Sequence, residues 1–154
     1  MELRTRKANR EDLMLLYGWA NDPLTRKMSL NKGTVSLETY YKWFNIYLHD
    51  DNILFLIVEG LDKEDWIPIA QVRLHADGEI SFSVAKDYRG KGLAARIIIN
   101  AIEFAKSCFP VNCIVAKVKK DNLASIKSLE RAGFNLIGED TIKRESCYVY
   151  EKYL

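Results

Sequence analysis

The stretch that most constrains this chain is Arg89-Gly90-Lys91-Gly92-Leu93-Ala94. It follows a run that reads as a strand, Glu79–Ala85, and opens an amphipathic run that reads as a helix to about Cys108. Two glycines at such a junction let the backbone turn left-handed and let a ligand approach without meeting a Cβ. The first amides of a helix have no internal partner, and the helix dipole makes that end positive. A strand, a glycine loop and a helix start therefore build a diphosphate cradle. The backbone from Arg89 to Ala94 is its candidate lining, with Arg89 and Lys91 adding charge. Two familiar cradles are excluded. GxxxxGK[ST] is absent, and the GxGxxG spacing ends on Ala95 instead of glycine. The element order also lacks the early βαβ unit that a dinucleotide site needs.

The segment before the loop sets a hairpin. Ile67–His75 and Glu79–Ala85 flank Ala76-Asp77-Gly78. A two-residue turn would pair Leu74 with Ser81 and mix the faces. A three-residue loop with Gly78 left-handed pairs Leu74 with Ile80, Val72 with Phe82 and Ala70 with Val84. That register makes one face apolar. It gathers Gln71, Arg73, His75, Glu79, Ser81 and Ser83 on the other.

The remaining elements alternate. Glu2–Lys7 reads as a short strand. Asn9 caps a helix to about Ala20, and Asn21-Asp22-Pro23 stops it. Ser36 starts a helix to about Leu48 with Tyr40, Trp43, Phe44, Tyr47 and Leu48 at helical spacing. Ile53–Glu59 reads as a buried strand. Cys113–Val118 is a strand and Asn122–Ala132 a helix, closed by Gly133 as a left-handed cap with Phe134 packing behind it. Asn135–Glu139 and Glu145–Lys152 are the last strands. The order β-α-α-β-β-β-α-β-α-β-β gives a single α/β domain over 1–154 with a mixed, mostly antiparallel sheet and about four helices.

Composition narrows the function classes. At 154 residues, 48% of them hydrophobic and 29% charged, the chain is neither disordered nor of low complexity. A net charge of +2 argues against a nucleic-acid partner. Cys108, Cys113 and Cys147 are odd in number and lack metal-ligand spacing. They read as buried thiols in a reducing compartment, with no disulfide and no metal. The longest apolar runs, Ile53–Val58 and Ile97–Ile99, are far below the ~20 residues of a spanning helix. The first residues show no apolar signal core. A cytoplasmic protein without a membrane partner is expected.

Two motifs then resemble a known family. Arg89-x-x-Gly92-x-Ala94 is similar to the [QR]-x-x-G-x-[GA] signature of the GNAT N-acetyltransferases. Asn122-x-x-Ser125-Ile126 followed by Ala132-Gly133-Phe134 resembles that family's second signature. The resemblance spans nearly the whole chain and implies the GNAT fold, with acetyl-CoA as co-substrate. It implies that the amides of Arg89, Gly90, Lys91, Gly92, Leu93 and Ala94 hold the pyrophosphate. By the same resemblance Val84 and Ala85 pair with the pantetheine amides, and Asn122 and Ser125 lie near the pantetheine arm. The implied reaction is direct attack of a primary amine on the thioester. Base candidates are Glu79, His75 and a water held by Ser81 or Ser83 on the polar strand face. The family's usual tyrosine acid falls on Leu129, which cannot give a proton. Ser128, Tyr148 or Tyr150 would have to substitute, or water, and Tyr150 is the acid candidate.

The first third resembles one branch of that family, the UDP-amino-sugar N-acetyltransferases of the pseudaminic-acid pathway. The match runs through Trp19-Ala20-Asn21-Asp22-Pro23, Arg26, Ser29, Ser36-x-Glu38 and Trp43-Phe44. Leu30 and Tyr40 depart from that branch, which tends to have phenylalanine and histidine there. The implied acceptor is the 4-amino group of a nucleotide-linked sugar, with Arg26 on the diphosphate and Tyr40 or Trp43 stacking. The competing readings are a ribosomal-protein or peptide N-terminal acetyltransferase and a non-catalytic acyl-CoA-binding module. A homodimer is compatible with the aromatic content.

Overall fold

The structure is a computed structural model and describes residues 1–31 and 33–154. Seven strands form: β1 (Leu3–Lys7), β2 (Ile53–Asp62), β3 (Asp65–His75), β4 (Ile80–Val84), β5 (Cys113–Lys119), β6 (Asn135–Ile142) and β7 (Glu145–Tyr153). The helices are α1 (Leu13–Ala20), α2 (Pro23–Met28), α3 (Leu37–His49), α4 (Ala94–Lys106) and α5 (Leu123–Arg131). The strands make two antiparallel sheets, ordered β1-β2-β3-β4 and β5-β7-β6. One parallel bridge, Glu79 to Val115, joins them.

β2 is apolar from Ile53 to Val58 because it is covered on both sides. Leu54, Leu56 and Val58 pack into the main core with Val72, Ile97 and Ala101 under α4. Phe55 and Ile57 point the other way, into a second core with Leu16, Tyr40 and Phe44 from α1 and α3. The β3–β4 register pairs Leu74 with Ile80, Val72 with Phe82 and Ala70 with Val84, as the alternation requires. Gly78 turns the hairpin at φ +98°, and a Cβ there would collide with the Cys113 carbonyl. At the far end of α5, the Phe134 amide bonds Leu129 O and the Gly133 amide bonds Glu130 O. With Gly133 at φ +91°, this is the Schellman cap its sequence called for.

Three expectations are corrected. Asn21-Asp22-Pro23 ends α1 but also begins an additional helix, so the described residues form five α-helices. The Asp22 carboxylate accepts the Thr25 amide at 3.1 Å and Pro23 fills the first turn of α2. The sheet is two sheets hinged at one bridge. Cys108 is exposed, past the end of α4. Cys113 and Cys147 are more sheltered, and burial pushes both thiols up.

A charged cluster ties β1 to the residues before α1. Arg6 grips Asp12 with two bonds of 2.8 and 2.9 Å, and Asp12 also accepts the Asn9 amide. Arg4 and Arg6 both reach the buried Glu59, at 2.7 and 3.4 Å. Burial alone would raise the Asp12 carboxyl, but these hydrogen bonds outweigh it and hold the group below the ordinary carboxylate value. A depressed folded pKa stabilises above the unfolded value and is lost as pH falls through the folded one. Thermal stability is therefore expected to be flat above about pH 5 and to fall in acid. Asp12→Asn should cost about 2 kcal/mol at neutral pH and flatten the acid limb. Equal acid limbs in the two proteins, read by circular dichroism melts, would contradict the assignment.

Candidate active site

The hinge between the sheets creates an opening. The Val115 amide donates to Gly78 O at 2.9 Å where β4 and β5 meet. Past Glu79–Val115 no further β4–β5 bridge forms among the described residues. The His75 amide bonds Glu79 O, so alternation along the antiparallel pair turns the backbone groups of Ile80, Phe82 and Val84 away from β3. The Phe82 backbone and the Val84 amide face the gap as a strand edge without a partner among the described residues, while Val84 O accepts from Arg89 Nε and Ile80 adjoins the Glu79–Val115 bridge.

The glycine loop stands at the end of that edge. Gly90 and Gly92 both sit at φ +70°. A Cβ on either would enter open space. Arg89-Gly90 form a hydrogen-bonded turn, and beyond it the amides of Gly92 through Arg96 donate to no backbone acceptor among the described residues. Such a row of outward amides at a helix start fits an anionic diphosphate. Lys91 is exposed, with its ammonium 5.4 Å from the centre of the Tyr88 ring.

Arg89 behaves differently from its expected role. Its backbone belongs to the loop, but its guanidinium turns inward. Nε donates to Val84 O at 2.9 Å, and one terminal nitrogen donates to Asp22 Oδ2 at 2.8 Å and Thr25 Oγ1 at 3.2 Å. Burial pushes the Asp22 carboxyl up, but the bonds from Arg89 and the Thr25 amide prevail and leave it below the ordinary value. The positive charge left for a phosphate is Lys91 and the amide row.

On the opposite face of the first sheet lies a cavity of about 120 Å³. Trp19, Tyr40, Trp43 and Tyr47 wall it, and Gln71, Arg73 and Ser83 floor it from the polar side of the hairpin. Its lining contains two arginines and no aspartate or glutamate. Tyr40 stacks with Tyr17 and Phe44, and burial pushes its phenol up to about 12. Arg26 lines the cavity, but its guanidinium is committed to the carbonyls of Ala20, Asn31 and Gly33. It pins the loop after α2. The less committed cation is Arg73, which lay on the predicted polar face without being singled out.

The remaining candidates divide. His75 and Glu79 are cross-strand neighbours beside the Val115 bridge, and neither side chain has a protein hydrogen-bond partner among the described residues. Five strand residues, roughly 17 Å, separate Glu79 from Val84. Tyr150 pairs with Ala116 on β5 and is buried in the main core. Burial, then the Glu130 charge, pushes its phenol up. Asn122 caps α5 by accepting the Ser125 amide at 3.2 Å, and its Nδ2 has no partner among the described residues. Leu129 is 1% exposed and serves the core, so this α5 position offers no acid.

The profile of the Acetyltransferase (GNAT) domain family matches residues 2–135. The chain belongs to the GNAT acetyltransferase family. Among curated GNAT relatives, it is 21% identical over 136 residues to the spermidine N(1)-acetyltransferase of Vibrio cholerae, covering 86% of this chain and 79% of that one. Its fold matches the structure of AAC(6')-Ib in complex with ribostamycin and coenzyme A, with a TM-score of 0.84 at 18% identity over 99% of this chain and 94% of that one. It also matches a domain from Methanocaldococcus jannaschii, with a TM-score of 0.85 at 20% identity and 99% coverage of both. The Vibrio cholerae spermidine N-acetyltransferase with CoA and spermine superposes with a TM-score of 0.83 at 18% identity, covering 98% and 95%. No helix among the described residues is long and apolar enough to cross a membrane.

Proposed function

We propose that this acetyl-CoA-dependent GNAT N-acetyltransferase acetylates a primary amine on a small acceptor that carries negative charge, with a nucleotide-linked amino sugar as the specific candidate. The observation that carries this reading is the cavity lining: Arg73 as its uncommitted cation, five aromatic residues and, among the described residues, no carboxylate. The relatives are named for spermidine and aminoglycosides, which are polycations. A polycation needs carboxylates to replace its lost hydration. An anion with a flat ring suits arginine and aromatic walls instead. At about 120 Å³ the cavity is below the ~300 Å³ of a whole drug-sized site. It takes one part of the acceptor, and the rest lies along the open side.

Acetyl-CoA supplies an acetyl thioester for direct attack by the amine. The amides of Gly92–Ala94, helped by Lys91, hold its pyrophosphate. The Phe82 backbone and the Val84 amide are the groups available to its pantetheine amides, since the expected Ala85 amide is taken by Ile69 O and Val84 O by Arg89, and Asn122 Nδ2 is an available donor from α5. Glu79 or His75 takes the amine proton, since neither side chain has a protein partner among the described residues at the β4–β5 junction. Tyr150, one strand away beside Ala116, keeps its proton across neutral pH and is the phenol available to the leaving sulfur.

Thiol release from acetyl-CoA with a panel of UDP-amino sugars, N-terminal peptides and polyamines tests this. Turnover is expected with the nucleotide sugars. Turnover confined to peptides or polyamines would overturn the acceptor class. Tight acetyl-CoA binding without any turnover would mark a non-catalytic module.

A further inference from the structure

The floor of the aromatic cavity carries two unmatched polar atoms. Arg73 Nε and Gln71 Oε1 are shut off from solvent and have no hydrogen-bond partner among the described residues. Such atoms are rare in folded proteins and each calls for an explanation. Both residues line the same cavity. Gln71 Nε2 is anchored on Ser83 Oγ at 3.1 Å, which fixes the amide and its free oxygen. The Arg73 guanidinium lies over the Tyr47 ring, 4.5 Å from its centre. Stacking holds the guanidinium without consuming an N–H. No carboxylate pairs with Arg73 among the described residues. Arg73 is thus a half-buried, pre-oriented cation without a counter-charge, beside a fixed acceptor.

We infer that Arg73 is the specificity-determining residue of the acceptor site, binding an oxyanion of the acceptor while Gln71 Oε1 accepts an N–H or O–H beside it. The inference rests on the reading of this cavity as the acceptor site. The oxyanion is a phosphate or a carboxylate, since both match the guanidinium fork. The same cation repels spermidine-like acceptors, so it selects by exclusion as well as by attraction.

The test reads binding apart from turnover. Calorimetry of the full chain with UDP and, separately, with glucuronate distinguishes a phosphate from a carboxylate source. Arg73→Met keeps the bulk over Tyr47 and removes the charge. Arg73→Lys keeps the charge and loses the fork. Wild type is expected to bind one of the two probes. Arg73→Met should weaken that probe by about tenfold or more and raise the acceptor KM similarly, with acetyl-CoA affinity unchanged. Arg73→Lys should recover part of the loss, and circular dichroism checks that both variants fold. Failure of wild type to bind either probe would overturn the inference. So would an Arg73→Met variant with unchanged probe affinity and unchanged KM. Nucleotide-sugar turnover combined with an indifferent Arg73→Met sinks the inference and leaves the proposed function standing. Probe binding lost in Arg73→Met without turnover on any amine sinks the proposed function and with it the acceptor role of Arg73, leaving only an anion site on that residue.

Discussion

Gly92→Glu is expected to abolish acetyl-CoA binding in a protein that still folds. The residue sits at φ +70° and a Cβ there meets no protein atom, so the side chain enters the space in front of the amide row. The left-handed backbone costs a non-glycine residue about 1–2 kcal/mol, less than the 5–15 kcal/mol typical of a whole domain. The carboxylate costs the ligand more. A like charge about 4 Å from a phosphate, near the surface, opposes binding by about 4 kcal/mol. That is about a thousandfold in Kd. Gly92→Ala separates the two contributions, since it carries the same backbone strain without the charge. Calorimetry should show the alanine variant binding measurably and the glutamate variant not at all. A folded Gly92→Glu with wild-type affinity would remove the loop from the donor site.

Much of this architecture could be read from local pattern. The β3–β4 register comes from alternation plus one glycine, because a slip of one residue would bury Ser81 and Ser83 and expose Ile80 and Phe82. The Schellman cap at Gly133 and the inward Leu129 come from helical spacing in the same way. The additional helix α2 was hidden because Asp22-Pro23 is equally a stop and a start. Proline breaks the helix before it and suits the first turn of the helix after it. The site residues are hard to read where their partners are distant in sequence. Arg26 suggests a free cation, yet three carbonyls hold its guanidinium. Arg73 is visible on the polar face, but the Tyr47 ring over it comes from α3, 26 positions earlier, and only tertiary packing brings the two together. Alternation tells which face is polar and is silent on what covers it.

Arg89 gives the second large effect. The signature position suggests a phosphate ligand, whereas its guanidinium bonds Val84 O, Asp22 and Thr25. These bonds connect the end of β4 to the start of α2. Thr25 and Arg26 on α2 line the aromatic cavity that we assign to the acceptor. Arg89 is therefore a positioning residue that fixes the acceptor wall against the donor loop. Arg89→Met leaves the Asp22 carboxylate, 13% exposed, without its counter-charge. The expected cost is about 3 kcal/mol in stability, read by urea unfolding, together with a raised acceptor KM. Acetyl-CoA affinity should change little, while Lys91→Met should weaken it. Arg89→Lys should fail to restore stability, because one ammonium cannot span three acceptors. Asp22→Asn should lose most of the same energy, and the double variant should lose little more, since the two residues act as one contact. A phosphate-ligand role makes the opposite pattern: normal stability, additive losses with Asp22→Asn, and weakened acetyl-CoA. The double-mutant cycle decides between a guanidinium that binds the donor and one that holds the acceptor site in register with it.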